Sequence, residues 1–200
     1  MSSALAIAAV TAVLKDLLDN RLVQANVIGD VGDVSVTALP PDRITIGQDE
    51  RAQLNLFMYR VSPRSGWRRG RVAPEEQDGH ASPSLALDLH YLLSAYGEQD
   101  LQAEILLGYA IQLFQETPVL TGDAIRKTLK GSSSNGSRHA TVPARSALAS
   151  SSLGEQVDRV TVCPEFLGME EMTRLWSALQ AHYRPSAVYE VSAVLIKDDR

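Results

Sequence analysis

Apolar residues recur at three- and four-residue steps near the start of the chain, where Ile7, Val10, Leu14 and Leu17 form a stripe widened by Val13 and Leu18. That period places one face of a helix against a core. The helix is expected to end near Asn20 or Arg21, with Ser2 and Ser3 available to accept from its first N–H groups. After Gly29 and Gly32 the period changes. Val34 to Thr37 alternates as a half-buried strand does, and Pro40-Pro41 ends it because neither residue can donate to a ladder. Ile44–Gly47 reads as a possible short strand, and Gln53–Val61 as a firmer one with Leu54, Leu56 and Met58 on one face.

Leu85–Tyr96 carries the clearest alternation. Leu85, Leu87, Leu89, Tyr91 and Leu93 share one face, while Asp88 and His90 lie on the other, which is expected to be partly exposed. Beyond Gly97 the spacing turns helical from Asp100 to Glu116, through Leu101, Ile105, Tyr109 and Leu113, until Pro118 stops it. A short helix over Asp123–Leu129 is expected next, closed by Gly131. Structure resumes at Val157, with a strand at Val160–Val162 ended by Pro164. A helix follows that uses Met172, Leu175, Trp176 and Leu179, with Gly168 at its cap, Glu171 in its first turn and an end before Pro185. Ala187–Ile196 is the last strand.

Helices and strands are interspersed without βα regularity, and the long strands pair one apolar face with one mixed face. The fold class expected is therefore α+β, with a mixed or antiparallel sheet and helices packed mainly on one side. Residues 1–200 read as one domain. The stretch from 131 to 154, rich in serine, alanine and glycine without an apolar period, reads as a mobile loop.

Composition narrows the class of function. Apolar residues at 44% and charged residues at 22% are ordinary for a globular domain, and a net charge of −5 disfavours a nucleic-acid partner. Lys15 and Asp16 interrupt the first apolar run, and no uninterrupted apolar stretch approaches the ~18 residues of a membrane span. A single cysteine, Cys163, allows no internal disulfide, which favours a reducing, cytoplasmic setting; it reads as a small buried hydrophobe.

No catalytic set is evident. The histidines His80, His90, His139 and His182 share no ligand spacing with one another or with Cys163, so neither a metal nor a cofactor is expected. Asp88 and His90 form the one acid–histidine pair on a strand face, but no nucleophile with a recognisable elbow stands beside them, so a polar structural pair is favoured over a hydrolase. The arginines Arg60, Arg64, Arg68, Arg69 and Arg71 cluster around Trp67. They suit contact with an acidic partner and equally suit pairing with Glu75, Glu76 and Asp78.

Six segments in order carry a resemblance. They are Ser3–Leu14 (SALAIAAVTAVL), Thr37–Asp42 (TALPPD), Leu54–Tyr59 (LNLFMY), Leu85–Gly97 (LALDLHYLLSAYG), Thr117–Leu120 (TPVL) and Leu175–Gln180 (LWSALQ). Together they resemble the N-terminal domain of the cap, or tube-terminator, proteins of extracellular contractile injection systems, the class of the Photorhabdus virulence cassettes and antifeeding prophages. The resemblance implies a tail-terminator-like fold and a non-enzymatic role: a ring, hexameric in the family, seated on the distal end of the inner tube and contractile sheath. It implies as partners other copies of the chain, the tube protein and the sheath protein, without membrane insertion. An open sheet rim suits such contacts, and the terminal strand, with Tyr189 and Val191, is one candidate; the arm around Trp67 is the other. A terminator of a true phage tail and a free-standing adaptor are the alternatives.

Overall fold

The computed structural model describes residues 5–24, 31–64, 84–131 and 159–197. The serine-rich stretch and the arm containing Trp67, Arg68, Arg69 and Arg71 lie outside the described residues. Helix α1 (Ala6–Gln24) is followed by strand β1 (Ser35–Thr37), a single 3-10 turn (Pro41–Arg43), β2 (Gln53–Pro63) and β3 (Ser84–Tyr96). Then come α2 (Gln102–Glu116), β4 (Val119–Thr121), α3 (Gly122–Gly131), β5 (Arg159–Glu165), α4 (Met169–Ala178) and β6 (Ser186–Lys197).

The six strands form one mixed sheet in the order β1-β2-β3-β6-β5-β4. β1 runs parallel to β2, and every other neighbouring pair is antiparallel. One face of this sheet packs on α1, α2 and α3. Leu54, Leu56, Leu89, Tyr91, Leu93, Tyr189 and Val191 meet Val10, Leu14, Leu18, Leu106, Phe114 and Ile125 in a single core. The α1 stripe read from the spacing is the buried one, with Ile7 and Leu17 at its half-buried margin. Tyr91 reaches across to α1, where its hydroxyl lies 2.8 Å from Thr11 Oγ1. Burial raises the Tyr91 phenol well above its ordinary pKa. The opposite face is partly covered by α4, through Met172 and Trp176 packed on Leu92 and Val188.

Several expectations are corrected. β6 is not a rim: over Val188–Val191 it pairs with β3 on one side and β5 on the other. Tyr189 and Val191 accordingly face the helical layer as core residues. Ile44–Gly47 is no strand but the bend that follows the 3-10 turn, for the Pro40-Pro41 pair has already turned the chain away from β2. In α2 the buried face is Gln102, Leu106, Ala110, Leu113 and Phe114, while Leu101 and Ile105 are exposed. The stripe turned because Gln102 is held inside, its Nε2 donating to Val31 O at 3.0 Å and its Oε1 accepting from Gln99 N at 2.9 Å.

β5 does not stop at Pro164 but continues to Glu165, since Pro164 pairs with Tyr189 in the ladder. Cys163 is exposed, not buried. Helix α4 ends at Ala178, well before Pro185, through the left-handed Gln180 (φ 52°). Its start is as the sequence indicates: the Gly168 N–H donates to Glu171 Oε2 at 3.0 Å. At the end of β3, Gly97 is required by close approach, because a Cβ there would sit 2.6 Å from Gln102 Cβ.

Candidate functional site

The sheet face that carries α4 holds a polar cluster drawn from three strands. β2 contributes Tyr59, Arg60 and Ser62, β3 contributes Asp88 and His90, and β5 contributes Glu165. Two register shifts lie in these strands, one between Met58 and Arg60 against β3 and one between Leu87 and Leu89 against β6. Such irregularities re-aim neighbouring side chains, and here they bracket the cluster. His90 Nδ1 lies 2.8 Å from Glu165 Oε2, and His90 Nε2 lies 2.9 Å from Ser62 Oγ. With Nδ1–H donating to the carboxylate, Nε2 is left to accept the serine proton. Tyr59 donates a longer bond, 3.4 Å, to the same Glu165 oxygen and tilts its ring over His90 at a centroid distance of 6.0 Å.

The acid partner of His90 is thus Glu165, and Asp88 stands apart. Asp88 is 9% exposed, lies opposite Ser62 in the register, and its Oδ1 has no hydrogen-bond partner among the described residues. His90 is more deeply buried still, so the face expected to be partly exposed is closed at these two positions. Sequence reasoning named Asp88 and His90 but missed Ser62 and Glu165. Ser62 was hidden because the register shift alters which β2 residues share the His90 face, and Glu165 because Pro164 was read as the strand's end.

Tyr59 supplies a pH-dependent term. Burial, followed by the charge and hydrogen bond of Glu165, raises its phenol from 10.0 to about 12. The folded state therefore holds the neutral phenol more tightly than the unfolded chain does. The stability this provides is whole below about pH 10 and is lost as the pH rises towards about 12. Thermal melts across that window are expected to fall less steeply for Tyr59→Phe than for the unchanged protein; parallel curves would refute the assignment.

A second feature lies at the outer side of α4. Phe166 is 92% exposed and Met169 73% exposed, and Tyr183 projects beyond the helix end. A groove of about 390 Å³ runs between α4 and the following turn, with Trp176, Met169, Thr173, His182 and Tyr183 among its lining. Exposed large apolar side chains gathered in this way are a feature of contact surfaces. Arg60 and Arg64 are also exposed, towards the distal end of the β2–β3 pair. The structure does not bring them together with Tyr189 and Val191, which lie in the core. Among the described residues no group of His, Cys, Asp and Glu side chains could hold a metal ion, and no helix is long and apolar enough to cross a membrane.

The fold is that of a solved sheath/tube terminator from an extracellular contractile injection system, the PVC particle in its extended state. The two share 12% identity at a TM-score of 0.57, over 97% of this chain and 57% of that one. The tube-terminating cap of the anti-feeding prophage is also similar, at 13% identity and a TM-score of 0.49, over 90% of this chain and 54% of the cap. The chain thus spans little more than half the length of either. No curated protein matches it in sequence. The family model of the Pvc16 N-terminal domain matches residues 9–200. With that match running from the second turn of α1 through β6, and with the sheet and helical layers arranged as in a terminator, the chain belongs to the Pvc16 N-terminal domain family.

Proposed function

We propose that this chain is a structural cap subunit, which binds the distal end of the inner tube and sheath of a contractile injection particle and ends their growth. The observation that carries this reading is the family match over residues 9–200, joined to a fold shared with a sheath/tube terminator. A tube extends because each ring offers the next a surface complementary to its own opposite face. A terminator matches that surface on one side and does not reproduce it on the other.

The two sides of this sheet differ in that sense. One is sealed by α1, α2 and α3, whereas the other presents α4 with Phe166, Met169 and Tyr183 exposed. Phe166 and Met169 are the anchors assigned to the particle contact, with Arg60 and Arg64 towards the distal end of the β2–β3 pair as the positive group facing acidic partner residues. Ring formation with further copies, as a hexamer, belongs to the same reading, as does a bacterial cytoplasmic site of assembly and a role without catalysis in the particle itself.

Cells that lack the chain are expected to make particles of irregular length or with unsheathed ends, measured by cryo-electron microscopy. A Phe166→Asp, Met169→Asp chain supplied in its place should fold but leave particle ends bare. Sheathed particles of uniform, normal length in the deletion strain would overturn the proposal.

A further inference from the structure

We propose that Ser62, His90 and Glu165 form a nucleophilic relay that acylates at Ser62 and hydrolyses small carboxylic esters, an activity separate from capping. The order of contacts is the order such chemistry needs. A carboxylate fixes one ring nitrogen and the other nitrogen meets a hydroxyl, at 2.8 Å and 2.9 Å. Three different strands supply the three side chains, so the arrangement is a product of the tertiary fold and not of local sequence. Ser62 is half-buried, its ring partner His90 is buried, and Arg60, two positions before Ser62 on the same strand, is exposed.

The Asp88 carboxylate points to a ligand independently. A buried acceptor oxygen without a donor is costly, and this one lies across the strand pair from Ser62. An ester that carries a donor near its carbonyl, such as an amide N–H, would satisfy it. Arg60, opposite His90 in the register and two positions from Ser62 on the same strand, is the cation we assign to the developing oxyanion.

The step balances without any further reagent. Ser62 Oγ forms a bond to the carbonyl carbon as its proton passes to His90 Nε2. The ester C–O bond then breaks, and the departing alkoxide takes that proton and leaves as the alcohol. Water attacks the acyl-serine, its proton follows the same route, and the carboxylic acid is released as Ser62 recovers its hydrogen. Glu165 touches neither reactant and is a positioning residue.

The test uses the whole chain with a fluorophosphonate probe and two 4-nitrophenyl esters, those of acetic acid and of N-acetylglycine. Intact-mass and peptide mapping are expected to place one phosphonyl group on Ser62. Ser62→Ala should lose roughly 100-fold or more in ester turnover, the scale of positioned general-base catalysis. Glu165→Gln should lower kcat with KM retained, which a purely structural contact would not do. Asp88→Leu, which removes the acceptor, should erase the preference for the N-acetylglycine ester.

The exposed Cys163 thiol is the competing nucleophile, so Cys163→Ser must keep the activity. The proposal is overturned if the probe leaves Ser62 unmodified in the unchanged, folded protein. It is equally overturned if Ser62→Ala, with an unaltered circular-dichroism melt, turns over ester as fast as the unchanged chain.

Discussion

Alanine in place of Glu50 is expected to lower the unfolding free energy by about 3 kcal/mol, the low end of the range for breaking a buried ion pair. Glu50 is 5% exposed and joins three separate segments. Its Oε2 accepts from Arg184 Nη2 at 2.6 Å and from the Gly47 N–H at 3.3 Å, and its Oε1 accepts from the Gly97 N–H at 3.2 Å. Removing the carboxylate strands two backbone donors and a guanidinium at once. Arg184 retains some solvent access and lies 5.6 Å from the centroid of the Tyr96 ring, which keeps the loss at the lower end. Urea unfolding of Glu50→Ala, Arg184→Met and the double variant measures this, and the double variant should lose less than the two singles together. A loss below about 1 kcal/mol for Glu50→Ala would show that water replaces the carboxylate, against the burial argument.

Asn55→Ala is expected to cost about as much, roughly 3 kcal/mol, by removing the three hydrogen bonds of a buried amide at about 1 kcal/mol each. Asn55 has no solvent exposure. Its Oδ1 accepts from Thr37 Oγ1 and from the Leu39 N–H, each at 2.9 Å, and its Nδ2 donates to Leu39 O at 3.0 Å. The side chain thus behaves like one more peptide group, holding the segment after β1 to β2 where Pro40 and Pro41 cannot donate. Asn55→Asp should be no better, because it replaces the donor to Leu39 O with a second acceptor and buries a charge. Chemical denaturation gives the energies. Hydrogen exchange at the Leu39 amide gives the location: protection should fall there first, and unchanged protection would refute the clamp.

Asn55 and Glu50 also show what the sequence could and could not disclose. Period alone identifies α1, β2, β3 and β6, because each buries a stripe that no neighbour needs to explain. α2 is placed correctly along the chain, yet its buried face is turned by one position. The stripe through Leu101 and Ile105 is as apolar as the true one, and the choice is made by Gln102 bonding to Val31, a contact 71 residues away. Polar residues that close on distant backbone, such as Asn55 and Glu50, leave no period at all. They read as surface positions until the chain folds.

The polar cluster was half legible for a related reason. Strand alternation brings Asp88 and His90 to one face, but Glu165 reaches His90 from 75 positions further on, past a proline that usually ends a strand. The ladder tolerates Pro164 there because β4 pairs with β5 only over Arg159–Thr161 and leaves the outer side of Pro164 free of ladder bonds among the described residues. Conversely, β6 has the composition of a rim strand and of a central strand alike. Only its two partners decide which it is.

The placement of β6 between β3 and β5 has a consequence for biogenesis. Its pairing with β3 joins residues roughly a hundred positions apart, and separations of that order slow folding because loop closure must precede any reward. Until residues 186–197 leave the ribosome, β3 and β5 each have an unsatisfied flank and Leu92 lacks Val188 beside it. A nascent chain at that stage is adhesive, open to capture by strands of other unfinished copies or by chaperones. Insertion of one central strand then closes both flanks at once, so this sheet is completed in a single step when residues 186–197 become free to pair.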